Sequence, residues 1–369
     1  MYRGYSGPSL SFKSPPAGVL LRGRELHDSR IDTGPSSRAA AVARVPERTY
    51  ELPGRAAEQA QLHDYIRGNR PVQVVGEARM GGSSTLQWLH LTLKQEGRSS
   101  VLLDATSFET PSALELVRAL ASALDREVEV RARLEAPGDF TRRMQEALSL
   151  LTPCVVLIDH ADVLDPQQFP KEFFQAWKQL SERGTVRGKL IWVSSSRQCL
   201  FQGWKSLGHH VTFLNEAAKV WLGPIDPLVA RGLLDGCGQA GRERGRGLPN
   251  STLQQALDTC GCFADGLLWL GERLYLCPER LDELLDEYRE TFRPVFAQWW
   301  QNREPGEQVL LRRCVRERVD ARGLRAHERR VERQVARRLE SLGLLTEQNG
   351  YYVLQGQAWR EYVETCTSL

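Results

Sequence analysis

The chain reads as an α/β protein: a parallel sheet with helices on both faces, then an all-helical module, then a C-terminal unit of helices closed by a β-ribbon. Three observations predict this. Short apolar runs alternate with helical-period segments from about residue 50 to 216, and strands separated by helices pair in parallel and need cover on both faces. From 224 to about 300 only the helical period persists, as in PLVARGLLDGC and PERLDELLDEYRETF. The last stretch, 305–369, reads helix, short helix, longer helix and then YYVLQGQ as a ribbon, the order of a winged helix.

The elements follow in order. Residues 1–48 are rich in Ser, Gly, Pro and Arg and show neither period; such a segment buries too little surface to offset its own ordering, which predicts a flexible leader. Next, LPGRAAEQAQLHDYIRG sets Leu62, Tyr65 and Ile66 at helical spacing and stops at Gly68. VQVVG at 72–76 is a strand, followed by a glycine and serine turn and a helix over 86–93. Further strands are expected at 100–105, 154–160, 189–197 and 210–215, with helices at 112–124, 140–151 and 169–183. These bounds give a leader at 1–48, an α/β core at 49–216, a helical domain at 217–300 and a winged-helix-like domain at 301–369.

A chain of 369 residues exceeds one ordinary core. With 41% apolar and 26% charged residues it is globular rather than disordered. Apolar runs such as CVVLI fall far short of the roughly 20 residues that cross a bilayer. The N-terminal apolar stretch is too short for a secretory signal, so a cytoplasmic location is expected. The eight cysteines form no CxxC pair and have no histidine half-site near them, which points to reduced, structural thiols. Trp88, Trp177, Trp192 and Trp204 read as core or interface residues. The lid segment GRERGRG, a single copy, reads as a solvated loop.

The motif that carries chemistry is GEARMGGSS at 76–84. In a P-loop, GxxxxGK[ST], backbone N–H groups wrap the phosphates, the lysine reaches the β and γ groups, and the hydroxyl ligates Mg²⁺. Gly76, Gly81 and Ser83 fall in register, with Ser84 beside them, but Gly82 stands where the lysine belongs.

With its neighbours this segment resembles STAND NTPases and related AAA+ ATPases over about residues 50–369. LPGRAAEQAQL, with Gly54, Arg55 and Glu58, is similar to the family's "hGRexEhxxL" segment. VVLIDHAD resembles Walker B, with Asp159 at the Mg²⁺-linked carboxylate. VSSSR resembles the sensor segment, with Arg197 where the family faces the γ-phosphate. LGPIDPLVARGLL resembles the start of the helical lid, and SLGLLTEQNGYYVLQGQAWREYV the closing winged helix. The resemblance implies an ATP or ADP site made by Gly76, Arg79, Gly81, Gly82, Ser83, Ser84 and Arg197, with Mg²⁺ on Ser83 and Asp159.

The departures all concern nucleotide. Gly82 removes the ammonium, His160 replaces the acid that orients water, and Cys262 and Phe263 stand at the His and Pro positions of the family's "GGhPxxL" lid turn. A lysine there makes about two charge-assisted contacts of roughly 1.5 to 3 kcal/mol each, so its absence weakens binding by roughly 10² to 10⁴. Asp159 and Arg197 then read as relics, and Arg79 as a poor substitute cation, since its planar fork does not mimic a point charge. ATP or ADP with Mg²⁺ is expected to bind weakly or not at all. The leading reading is a pseudo-ATPase scaffold for a protein partner or related subunits. A nucleotide-binding switch with little turnover and a DNA-binding regulator remain alternatives.

The charge distribution bears on the partner. Eleven arginines against four acids over 312–338 give that segment +7, which leaves −4 for the rest of a chain of net +3. In the helix ERRVERQVARRLESLGLL, Val331, Val335, Leu339 and Leu342 are expected to face the core. Arg329, Arg330, Arg333, Arg337 and Arg338 are then left to meet a protein or DNA phosphates.

Overall fold

The computed structural model describes residues 52–182, 190–206, 208, 211–237, 248–326 and 330–366. The expected leader at 1–48, the GRERGRG loop and Arg329 lie outside the described residues, as does the side chain of Arg330.

The sheet has five parallel strands: β1 (Val72–Gly76), β2 (Ser100–Asp104), β3 (Cys154–Asp159), β4 (Leu190–Ser196) and β5 (Ala218–Leu222). Their order is β2-β3-β4-β1-β5. Both faces are covered, and the strands show it by alternation. In β3, Val155 and Leu157 join the core shared with the helices before and after β1, α1 (Ala56–Arg67) and α2 (Gly82–Gln95). Cys154, Val156 and Ile158 join a second core on the other face. That second core is built by α3 (Ala113–Ala123), α4 (Glu127–Glu135), α5 (Phe140–Ser149) and α6 (Lys171–Glu182). Trp177 and Trp192 stack edge to face inside it, with ring centroids 5.1 Å apart. Trp204 is buried with them, and Trp88 packs half-buried on the first core.

One expected strand is a helix. The β-branched and aromatic content of 210–215 favours an extended segment; instead α7 (Leu200–Ser206) is followed by α8 (Thr212–Glu216), and β5 takes the sheet edge beside β1. The five residues of α8 turn Phe213 and Leu214 together into the second core, which an alternating strand could not do. The sheet therefore continues past residue 216.

Beyond β5 come α9 (Pro227–Cys237), α10 (Asn250–Cys260), α11 (Ala264–Leu276) and α12 (Leu281–Gln301). Then α13 (Pro305–Arg316), β6 (Val319–Asp320), α14 (Ala321–Ala326), α15 (Arg330–Ser341), β7 (Leu345–Gln348), β8 (Tyr351–Leu354) and α16 (Gln357–Thr365) complete the described chain. The last three strands form an antiparallel sheet in the order β6-β8-β7. An aromatic seam of Tyr288, Phe292, Phe296 and Trp299 on α12 ends on Trp359 of α16. It fuses these helices into the same apolar core as β1. Among the described residues no helix is long and apolar enough to cross a membrane.

The expected faces of α15 need correction. Val331 is 70% exposed, and the buried positions are Ala336, Leu339 and Leu342, with Val335 half-buried. The helical spacing holds, but the buried stripe runs through Ala336, Leu339 and Leu342, one position out from the expected one, with Val335 against Gly306 of α13. Arg338 faces inward: it pairs with Glu304 at 2.7 Å and with Glu307 at 3.2 Å and is not offered to a partner. Arg333 is half-buried, and Arg337 is exposed.

Candidate functional site

Residues 76–84 leave the end of β1 and open α2, as the glycine pattern requires. Gly81 caps the helix in the left-handed region, at φ 95°, where a glycine carries no steric cost. This side of the loop is bare. No atom lies within 4 Å of where a side chain at Gly81 would begin, and a side chain at Gly82 would meet only Ser195, at 3.6 Å. Ser83 is exposed and Ser84 half-buried on the first turn of α2, which carries no acidic residue. Space for phosphates and for a lysine is present, and the lysine is not.

At the ends of β3 and β4 the polar groups serve one another. The buried Asp159 carboxylate accepts from the Ser195 hydroxyl and from the His160 backbone N–H, at 3.0 Å for the latter. His160 stands in the left-handed region at φ 53° and turns its ring to Asp104, with Nδ1 3.1 Å from Oδ1. That contact holds the Asp104 carboxyl down at about 2 and raises the His160 imidazole above its ordinary value. Arg197, expected to face a γ-phosphate, is tied to Asp162 through Nε at 2.5 Å. Arg79, also left-handed at φ 71°, donates to Asp265 on α11 at 3.1 Å.

The opposite side of the same loop is saturated. Glu77, the second residue of the motif, is buried and pairs with Arg303, whose side chain is fully buried in the turn between α12 and α13. Asn302 donates to the other Glu77 oxygen at 3.1 Å. Trp299 Nε1 donates to the Ala78 carbonyl at 3.0 Å, and its ring meets Phe263 edge to face at 4.7 Å. From the N-terminal side the buried Arg55 donates to the Met80 carbonyl at 3.0 Å and to the Gly223 carbonyl at 2.6 Å. Burial pushes the Glu77 carboxyl up to about 7, with Arg303 and Asn302 pulling the other way. The chain of charges continues from Arg303 to Glu307 and from Glu307 to Arg338 on α15.

The chemistry follows from these pairings. Each of the four arginines described around the loop already has an acid: Arg55 with Glu58, Arg79 with Asp265, Arg197 with Asp162 and Arg303 with Glu77. A polyphosphate needs cations that are not already neutralised, so these side chains do not fit Mg-ATP, although the loop backbone has the room. The expected residues Gly76, Arg79, Gly81, Gly82, Ser83, Ser84, Asp159 and Arg197 thus lie around one loop and its flanking strand ends, but Arg79 and Arg197 are paired with Asp265 and Asp162, and Asp159 accepts from Ser195 and the His160 N–H. Sequence reasoning misses Glu77, Asn302 and Arg303. Glu77 and Arg303 lie 226 positions apart, and the only local signal is an acid inside a phosphate-binding motif.

Residues 66–200 match an AAA domain family. The chain shares its fold with a Walker-type ATPase of Pyrococcus abyssi, at 15% identity over 87% of this chain and 99% of that one, with a TM-score of 0.56. The ORC2 protein of Aeropyrum pernix aligns at 11% identity, covering 87% and 97%, with a TM-score of 0.48. A STAND protein with a tetratricopeptide repeat sensor from Pyrococcus horikoshii aligns at 17% identity over 83% of this chain and 42% of that one, with a TM-score of 0.33. No curated protein matches in sequence.

Proposed function

We propose that the chain, with its P-loop ATPase fold and AAA domain, is a degenerate STAND/AAA+-type ATPase: a pseudo-ATPase that acts as a regulatory or assembly scaffold for a macromolecular partner. The observation that carries this reading is the exchange of roles within one loop. The loop at 76–84 has no lysine on its open side, whereas its other side is tied to the helices after the sheet, Glu77 to Arg303 and the Ala78 carbonyl to Trp299. In the family that the sequence resembles, bound nucleotide glues these modules together. Here the buried Glu77 carboxylate and the Trp299 indole make the joint from the chain's own atoms, so the arrangement needs no ligand. His160, bound to Asp104 rather than free to orient water, supports a site without turnover.

Titration calorimetry with Mg-ATP tests this directly. The expected dissociation constant is no tighter than roughly 100 µM, because the charge-assisted bonds of a P-loop lysine to the β and γ phosphates are missing. Low-micromolar binding, or ADP retained through purification, would replace this reading with that of a nucleotide-held switch.

A further inference from the structure

The open side of the loop is neutralised by the chain itself. Arg79, the single cation of residues 76–84, leaves the loop in the left-handed region at φ 71° and donates to Asp265 at 3.1 Å. Asp265 stands in the first turn of α11, 186 positions away. Arg197 follows the last residue of β4 and gives both Nε and Nη2 to one oxygen of Asp162. Asp162 lies in the short turn after β3, its side chain only 9% exposed. Arg197 stays close to the loop: Ser195, two positions before it, lies 3.6 Å from where a side chain at Gly82 would begin, and the Arg197 charge acts on the Glu77 carboxyl.

Stability does not account for the Arg79 pair. The helices after the sheet are held at the loop by the buried contacts of Glu77, Trp299 and Arg303, and a pair as exposed as Arg79 with Asp265, at 49% and 39%, adds little. Arg79 also keeps a backbone conformation that costs a residue with a side chain energy. The consequence of the two pairs is electrostatic. Asp104 and Asp159 end the neighbouring strands, so Asp104, Asp159, Asp162 and Asp265 outnumber Arg79 and Arg197 by two. His160, held between Asp104 and Asp159, returns at most one charge.

We propose that Asp162 and Asp265 set what the loop rejects: each holds an arginine as an internal counter-anion, and together they exclude polyphosphate from the open side. A phosphate chain arriving there meets guanidiniums whose hydrogen bonds are already made and carboxylates of its own sign. The room at Gly81 and Gly82 is sterically open and electrostatically closed. The missing lysine is one cause of the closure, and the other lies outside the loop, in the turn after β3 and on α11. The inference rests on the pseudo-ATPase reading, whose weak nucleotide site it traces to named residues.

Titration calorimetry of the full chain with sodium tripolyphosphate, at roughly 50 mM salt, is the test, since this probe brings phosphate charge without a base. Asp265→Asn should tighten binding about threefold to fivefold. Asp162→Asn added to it should bring the gain to at least about tenfold, and the gain should shrink at roughly 500 mM salt. Arg79→Gln and Arg197→Gln in the same chain should return the affinity to that of the wild type, and adenosine, which has no phosphate, should gain nothing. Unfolding midpoints accompany every titration; where Asp162→Asn lowers the midpoint, the surface variant Asp265→Asn decides alone. Variants that gain no affinity overturn the proposal and leave the pseudo-ATPase reading standing. A gain that survives loss of the two arginines, or that extends to adenosine, overturns it as well. Low-micromolar binding of tripolyphosphate by the wild type would remove both.

Discussion

The two sides of one nine-residue loop have opposite fates. Around Gly81 and Gly82 the loop is open and carries no lysine; around Glu77 and Ala78 the polar groups are taken by the helices that follow the sheet. A P-loop thus has a structural duty separable from its chemistry. Holding a lid and a C-terminal unit requires only a buried acid, a carbonyl and the arginine and indole that find them, whereas binding phosphate requires cations that are not neutralised.

Breaking the saturated side should have the largest effect. Arg303→Met leaves the Glu77 carboxylate buried without its partner and should destabilise the chain by about 3 to 5 kcal/mol at pH 8 in denaturant unfolding. The sign with pH follows from the raised value of about 7. A carboxyl that binds its proton more tightly in the folded state contributes stability at low pH and loses it as pH rises from the ordinary value near 4.5 through 7. The variant should therefore be less impaired at pH 6 than at pH 8. An equal loss at both would show that Glu77 does not titrate in this range.

Refilling the bare side comes next. Gly82→Lys has room for its first carbon against Ser195 and should tighten Mg-ATP binding by roughly 10² or more in calorimetry. Adding His160→Glu should then bring measurable hydrolysis in a phosphate-release assay, with less from either change alone because the residues act as a unit. No gain in affinity from Gly82→Lys would show that the loop backbone no longer cradles phosphate.

Two smaller effects sharpen the contrast. Trp299→Phe leaves the Ala78 carbonyl without its donor and a void where the buried indole packs on Phe263, Phe296 and Trp359, at about 2 kcal/mol in the same unfolding assay. His160→Gln bears on the Asp104 contact. The raised imidazole contributes stability below its unfolded value of 6.5 and loses it as pH rises past its folded value, while the depressed Asp104 contributes above 3.8 and loses it toward 2. The melting temperature of the variant should fall furthest below wild type between about pH 4 and 6.5 and converge with it once pH has risen past the raised imidazole value.

The sheet is legible because its central strands are continuous apolar runs flanked by helices with one apolar stripe, and both patterns are local. Two features escape for physical reasons. The edge strand β5, AKVWL, alternates buried and half-exposed residues because only one of its faces is fully covered, so its apolar run is broken by Lys219. Helix α4 contributes only Val130 to the core among arginines and glutamates and carries almost no stripe to read. In the site, the missing lysine can be read from a single position. The clamp cannot, since Glu77 and Arg303 become neighbours only once α12 has folded back across the end of β1. Arg338 misleads for the same reason, since Glu304 and Glu307 claim it from another helix.

Where the chain leaves β5, Gly223 and Pro224 run against the turn that ends α15. The backbone of Gly343 is 3.6 Å from where a side chain on Gly223 would begin, and any side chain on Gly343, itself at φ 67°, would strike Pro224 at 1.8 Å. Gly223 meets the main chain of Gly343 directly, and the Pro224 ring fills the space that a side chain on Gly343 would need. A residue larger than glycine at 343 would therefore push the chain that leaves β5 away from the turn that ends α15, and the two turns fit only because both positions are glycine.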